Sequence, residues 1–224
     1  MKLVHSQMEK QFVFHENIIE LLIIENPSLF TEFIRELFQQ SMGEEGRFVL
    51  SENDKILSCK DKVEVILNPL NLDINDKRIL NRLYGKIKEL SVDEDFYTMT
   101  MERLFNTQQY VEHLLEQLDF DVRCQEVVDI VPLLKVFNVQ LVENDAHLLE
   151  KILDYLLVSF ELLGKEVFVF VNIKSYLSTA EIKDFYRFVF YQKLKILLIE
   201  NRQYESIETE NVCVVDQDLC EIFK

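Results

Sequence analysis

The chain has 224 residues, 48% of them apolar, enough for a packed core, which excludes wholesale disorder. Its formal net charge of −16 and sequence pI near 4.7 exclude a protein coated evenly in nucleic acid, though not one with a local basic face. The four cysteines, Cys59, Cys124, Cys213 and Cys220, form no C-x-x-C pair. They read as reduced, partly buried thiols of a cytoplasmic protein, not as disulfides or zinc ligands. Met1-Lys2-Leu3-Val4-His5 lacks signal-peptide anatomy, and no apolar run is long enough for a bilayer, so no membrane segment is expected.

Residues 1–24 read as strands, with Phe12-Val13-Phe14 between polar stretches and Ile18 to Ile24 interrupted only by Glu20. Pro27 beside Ser28 marks a helix start, and Phe30, Phe33, Ile34, Leu37 and Phe38 give that helix an apolar face ending near Gly43 and Gly46. Phe48 to Leu50 and Ile56-Leu57 suggest a hairpin, and Val63 to Leu67 a strand closed by Asn68-Pro69. From Asp73 to Phe137 the pattern is helical. Ile79, Leu80, Leu83, Ile87 and Leu90 make one stripe; Met101, Leu104, Phe105, Tyr110, Val111, Leu114 and Leu115 continue it; a shorter helix over 127–137 is weakened by Pro132.

Strands are expected to resume at Val139-Gln140-Leu141. Asn144 or Asp145 then caps a helix with Leu149, Ile152, Leu153, Leu156 and Phe160 inward, and Gly164 ends it. Val167 to Val171 and Leu194 to Ile199 are continuous apolar runs, as strands buried on both faces require. Between them Ser178 and Glu181 have capping-box spacing, followed by Ile182, Phe185, Tyr186 and Val189 at helical spacing, so the block reads as a right-handed βαβ unit. A last strand runs from Val212 to Val215. The economical architecture is one α/β head built from residues 1–72 and 138–224, with a helical lobe over 73–137.

Four kinds of chemistry are conceivable for such a chain. A phosphate loop belongs after the Ile18–Ile24 strand, but Glu25-Asn26-Pro27-Ser28 has no glycine, no Lys-Ser/Thr pair and an acidic residue, so no nucleotide is expected. Glu25, Asn172 and Glu200 at strand ends suit a Mg²⁺ site of a nuclease or ATPase, or simply solvated strand ends. Glu116, Asp119, Asp121 and Glu126 form an acidic cluster suited to Ca²⁺ but without EF-hand spacing. His5, His15, His113 and His147 form no ligand pair, and no nucleophile motif is present. Lys77, Arg78, Arg82, Lys86 and Lys88 crowd the first helix of the lobe, Arg78, Arg82 and Lys86 recurring every four residues; Lys174, Lys183, Arg187, Lys193 and Lys195 form a second group. Such cations either track a phosphate backbone or solvate a helix face.

Three ordered phrases carry a family likeness: Val65 to Asn75, Leu118-Asp119-Phe120-Asp121, and Phe168 to Asn172 with Tyr176-Leu177-Ser178, Glu181 and Ile196 to Glu200. Together they resemble the small DNA-end-binding ring protein of subtype II-A CRISPR adaptation modules. The resemblance implies a P-loop-NTPase-like (Rossmann-like) head without a working nucleotide site and an inserted α-helical leg. It implies a homotetrameric ring with a basic channel that binds double-stranded DNA ends without sequence readout and without catalysis. It also implies Ca²⁺ near the hinge, for which Asp119 and Asp121 fit best beside Glu116 and Glu126. The implied partners are the integrase pair and the type II effector nuclease. Within this picture the DNA-contacting residues chosen by charge and periodicity are Lys77, Arg78, Arg82, Lys86, Lys174, Lys183 and Arg187. Two other functions stay open: a metal-dependent nuclease or ATPase using Glu25 and Glu200, and a protein-binding scaffold without DNA affinity.

Overall fold

Two kinds of hydrophobic pattern give two kinds of sheet in the computed structural model, which describes residues 1–125, 129–143 and 147–223. Alternating burial marks β1 (Lys2–His5), β2 (Gln11–Val13) and β4 (Phe48–Glu52), which with β5 (Lys55–Leu57) form an antiparallel sheet in the order β2-β1-β4-β5. Its hairpin turns at Asn53-Asp54, both with positive φ (49° and 62°), the geometry of a two-residue hairpin loop. Continuous burial marks β3 (Ile19–Ile24), in which every residue is buried.

The helix α1 (Pro27–Met42) follows β3 directly. Asn26 caps it and Pro27 occupies its first turn, where the missing N–H costs nothing. Gly43 ends it at φ 103°, a left-handed conformation that only glycine adopts cheaply. The short helix α2 (Cys59–Lys62) leads into β6 (Val63–Ile66), and Asn68 caps a 3-10 turn at Pro69–Asn71.

Chain contacts separate Ile74–Glu143 as one unit from Met1–Asp73 with Asn144–Lys224 as the other. The 74–143 unit holds α3 (Lys77–Ser91), α4 (Tyr97–Leu115) and α5 (Val131–Val136), and no strand among its described residues. The other unit continues with α6 (Leu148–Leu163), β7 (Val167–Val171), α7 (Thr179–Tyr191), β8 (Lys195–Glu200), β9 (Glu210–Val215) and β10 (Glu221–Phe223).

Its main sheet has six strands in the order β10-β9-β3-β8-β7-β6. All pairings are parallel except β10 with β9. Register is set by burial: Val169 pairs with Leu197 and Leu22 with Ile199. One face joins Phe33 and Leu37 of α1 and the inner face of the small sheet, through Leu3, Phe12, Phe48 and Leu50, in a single core. On α7, Phe185 meets Phe170 edge-on at 5.3 Å, and Ile182, Tyr186 and Val189 are buried beside it. Each fully buried large apolar side chain contributes about 1.5–3 kcal/mol. The capping box at Ser178 and Glu181 is formed in both directions.

Several expectations need correction. Val139 to Leu141 is not a strand: the Val139 N–H donates to the Leu134 carbonyl, the Tyr84 hydroxyl donates to the Val139 carbonyl, and Asn75 bonds both Leu141 backbone groups. Pro132 does not weaken its helix but sits in the first turn of α5, where proline is tolerated. Phe160 is exposed, while Tyr155 and Ser159 take the inner positions of α6. In the 74–143 unit Leu90, Met101, Phe105, Tyr110 and Leu114 are exposed, and Leu104 alone of α4 is buried. Cys59 and Cys213 are buried thiols; Cys124 and Cys220 are exposed. Asn144 and Asp145 lie outside the described residues, and His147 occupies the cap position of α6. The closing strand β10 carried no pattern strong enough to anticipate. No helix among the described residues is long and apolar enough to cross a membrane.

Candidate nucleic-acid interface

In the 74–143 unit, α3 presents the densest run of cations. Asp76 starts the helix by accepting from the N–H groups of Arg78 and Ile79, at 2.7 and 3.0 Å. Ile79 and Tyr84 are buried, which turns Arg78, Arg82 and Lys86 outward, with Lys77 beside them; all four are exposed. The Arg78 guanidinium lies 3.0 Å from Asp76, and Lys88 lies 2.8 Å from Asp129. Such exposed pairs are weak and leave both partners able to exchange. Among the described residues Lys77 and Arg82 make no ion pair.

The second cationic group, in the other unit, divides. Lys183 and Arg187 are exposed on the outer face of α7, Arg187 within 2.8 Å of Asp184. Lys174 is not a surface residue: its side chain is 5% exposed and its Nζ lies 2.5 Å from Glu210. Glu210 also accepts from the Tyr186 hydroxyl and from the N–H of Ile207. Burial, with Glu210 alongside, pushes the Tyr186 hydroxyl far up. Lys174 therefore leaves the phosphate-contacting set, because the burial that orders it withdraws its charge from solvent.

Glu200 shares this buried cluster. It ends β8 without any exposure, so it is not a solvated strand end. One carboxylate oxygen accepts from the N–H of Lys174 at 3.0 Å; the other has no hydrogen-bond partner among the described residues. Burial pushes the carboxyl up to about 7, against the opposing Lys174 N–H and the charges of Lys174 and Arg202. Sequence reasoning missed this network; its one signal was the acidic residues set within or beside apolar strands at Glu20, Glu64, Glu200 and Glu210.

Beyond the strand ends, where α/β sheets hold nucleotides, polar groups of the chain bond to one another. The Asn26 amide oxygen takes the N–H groups of Ser28 and Leu29, both at 3.1 Å, and Pro27 has none to offer. Asn26 and Gln217 exchange side-chain bonds with backbone carbonyls at 217 and 25. Gln203 donates to the Glu25 carboxylate at 2.9 Å, and Asn172, at φ 55°, accepts from the N–H of Asn201. The helix-start donors that would meet a phosphate are thus already used.

The acidic segment lies in the 74–143 unit. Glu116 and Asp121 line an open hollow of about 690 Å³ with Glu112, Leu118, Phe120 and Arg123. Glu116, Asp119 and Asp121 are exposed, and Glu126 lies outside the described residues. Calcium takes six to eight oxygens, whereas no group of three or more His, Cys, Asp or Glu converges among the described residues. The described residues do not by themselves form a calcium ligand set.

A family model described as CRISPR-associated protein (Cas_Csn2) matches residues 40–219. The chain belongs to the Cas_Csn2 family. The CRISPR-associated protein Csn2 of Streptococcus agalactiae is 23% identical over 202 residues, covering 88% of this chain and 87% of that protein. Among solved structures, cbiO1 from Clostridium perfringens, described as part of the ABC transporter complex cbiONQ, aligns with a TM-score of 0.47 at 10% identity. That alignment covers 92% of this chain and 76% of the other.

Proposed function

We propose that this Cas_Csn2 family member acts in CRISPR spacer acquisition as a non-catalytic, sequence-independent binder of double-stranded DNA ends. In this reading it assembles as a homotetrameric ring beside the integrase pair and the type II effector nuclease. The observation that carries the DNA part is the outward stripe Arg78–Arg82–Lys86 with Lys77, a concentrated cationic face in a chain of net charge −16. A ring can keep acidic surface outside and basic surface inside, so binding rests on phosphate contacts and falls steeply with salt.

The architecture proposed with it is a P-loop-NTPase-like head with an inserted helical leg over the middle of the chain. The non-catalytic reading is supported by the hydrogen bonds that Asn26, Gln217 and Gln203 spend around the strand ends. Self-association is supported by α4, whose Tyr97, Met101, Phe105 and Leu114 are exposed although a water-facing helix gains nothing from them. Calcium dependence is proposed on the family resemblance alone; native mass spectrometry after chelation tests it, an unchanged tetramer removing it.

A band shift with a short linear duplex tests the DNA reading. Arg82→Glu with Lys86→Glu is expected to weaken binding at every sequence and to lower the salt slope by about 2, roughly one for each phosphate no longer neutralised. Unchanged affinity would favour the scaffold reading. Mg²⁺-dependent cleavage or ATP turnover abolished by Glu200→Gln would favour the enzyme reading.

A further inference from the structure

Tyr191 closes α7 and carries the most exposed aromatic ring among the described residues, at 84%. Lys183, Arg187 and Tyr191 are spaced by four, so they share one face of the helix, each step advancing about 6 Å. The opposite face is locked into the core by Ile182, Phe185 and Val189, and by the Tyr186 hydroxyl on Glu210. The stripe is therefore presented by a rigid element. Arg187 is 77% exposed, and its pairing with Asp184 is between two exposed groups and easily exchanged. Lys193 follows within two residues, also exposed, and 3.4 Å from an exposed Glu16.

Two cations leading to an open ring suit a phosphate backbone that ends at a base face. Inside a duplex both faces of every base are stacked, and only the terminal pair offers a face to a protein ring. Aromatic stacking on a base is indifferent to sequence, because every base has such a face. We propose that the Lys183–Arg187–Tyr191 face of α7 receives the terminus of a DNA duplex, with Tyr191 stacking on the terminal base pair. This rests on the DNA-end reading above and adds to it a group that distinguishes an end from the interior.

The chain contains no tryptophan, so Tyr191→Trp places a single tryptophan at the proposed contact. Titrating that variant with a blunt linear duplex, while following binding by band shift, is expected to quench its fluorescence. A duplex of the same length closed by hairpin loops at both ends is expected to leave it unquenched. Tyr191→Ala is expected to weaken binding to the blunt duplex by about tenfold or more, with an unchanged melting temperature. Binding without quenching would overturn this inference and leave the DNA reading standing; no binding to duplex at all would overturn both. A Tyr191→Ala variant that loses the oligomer and keeps full DNA affinity would assign the ring to a protein contact and also overturn it.

Discussion

Glu200 stands where an α/β fold often places a working carboxylate, and in this chain it is fully buried. One oxygen fixes the N–H of Lys174, the other has no partner among the described residues, and burial raises the carboxyl to about 7. Between the ordinary value of 4.5 and about 7 the native protein keeps a proton that the unfolded chain has released. Stability therefore falls as pH rises through that window. Glu200→Gln is expected to flatten this slope, so that its melting temperature exceeds the parent's at pH 8 and matches it near pH 4; parallel melting curves across pH would contradict the assignment. Lys174 is the cation of a buried pair with Glu210. Lys174→Ala leaves Glu210 uncompensated and is expected to cost about 3–5 kcal/mol in denaturant unfolding. A drop in DNA affinity with unchanged stability would instead return Lys174 to the surface set. The sequence could not separate Lys174 from Lys183, because charge and spacing carry no record of which lysine meets a glutamate 36 residues away.

At the scale of elements, β7, α7 and β8 were the most legible part of the chain. Continuous apolar runs, a capping box and four core positions at helical spacing all agree, and each is realised. Ser178→Ala removes one side of that box and is expected to cost about 1 kcal/mol, read as a lower midpoint in denaturant with unchanged slope. Phe185→Ala, at the contact with Phe170, is expected to cost about 3–5 kcal/mol in the same measurement. Legibility fails where the partners of an element are not its own backbone. Val139 to Leu141 has strand-like residues, but Asn75 and Tyr84 supply three of its backbone hydrogen bonds, a pairing across more than fifty positions that no local pattern shows. β10 failed for another reason: three residues paired to β9 are too short for period-two alternation to stand out. In α4 the helix was evident, whereas the burial of its apolar residues was not, since periodicity cannot tell a face packed within the chain from one left exposed.

For the whole molecule, an acidic chain carries a cationic helix and a helix with exposed apolar side chains, and the proposed assembly draws on both. Membership of the Cas_Csn2 family gives that assembly a context, and the proposed ring gives the charge distribution a purpose. The acidic phrase Leu118 to Asp121 contributed to the family likeness, yet its carboxylates do not converge with others into a ligand set among the described residues. The likeness of a phrase does not bring its oxygens together. If a closed ring threads onto DNA, topology supplies the preference for ends, and phosphate contacts supply affinity without sequence. The most direct test is a band shift at fixed, stated salt comparing one plasmid as linear duplex and as covalently closed circle. The ring reading predicts retention of the linear form and none of the closed circle; equal binding to both, or none to the linear form, would contradict it.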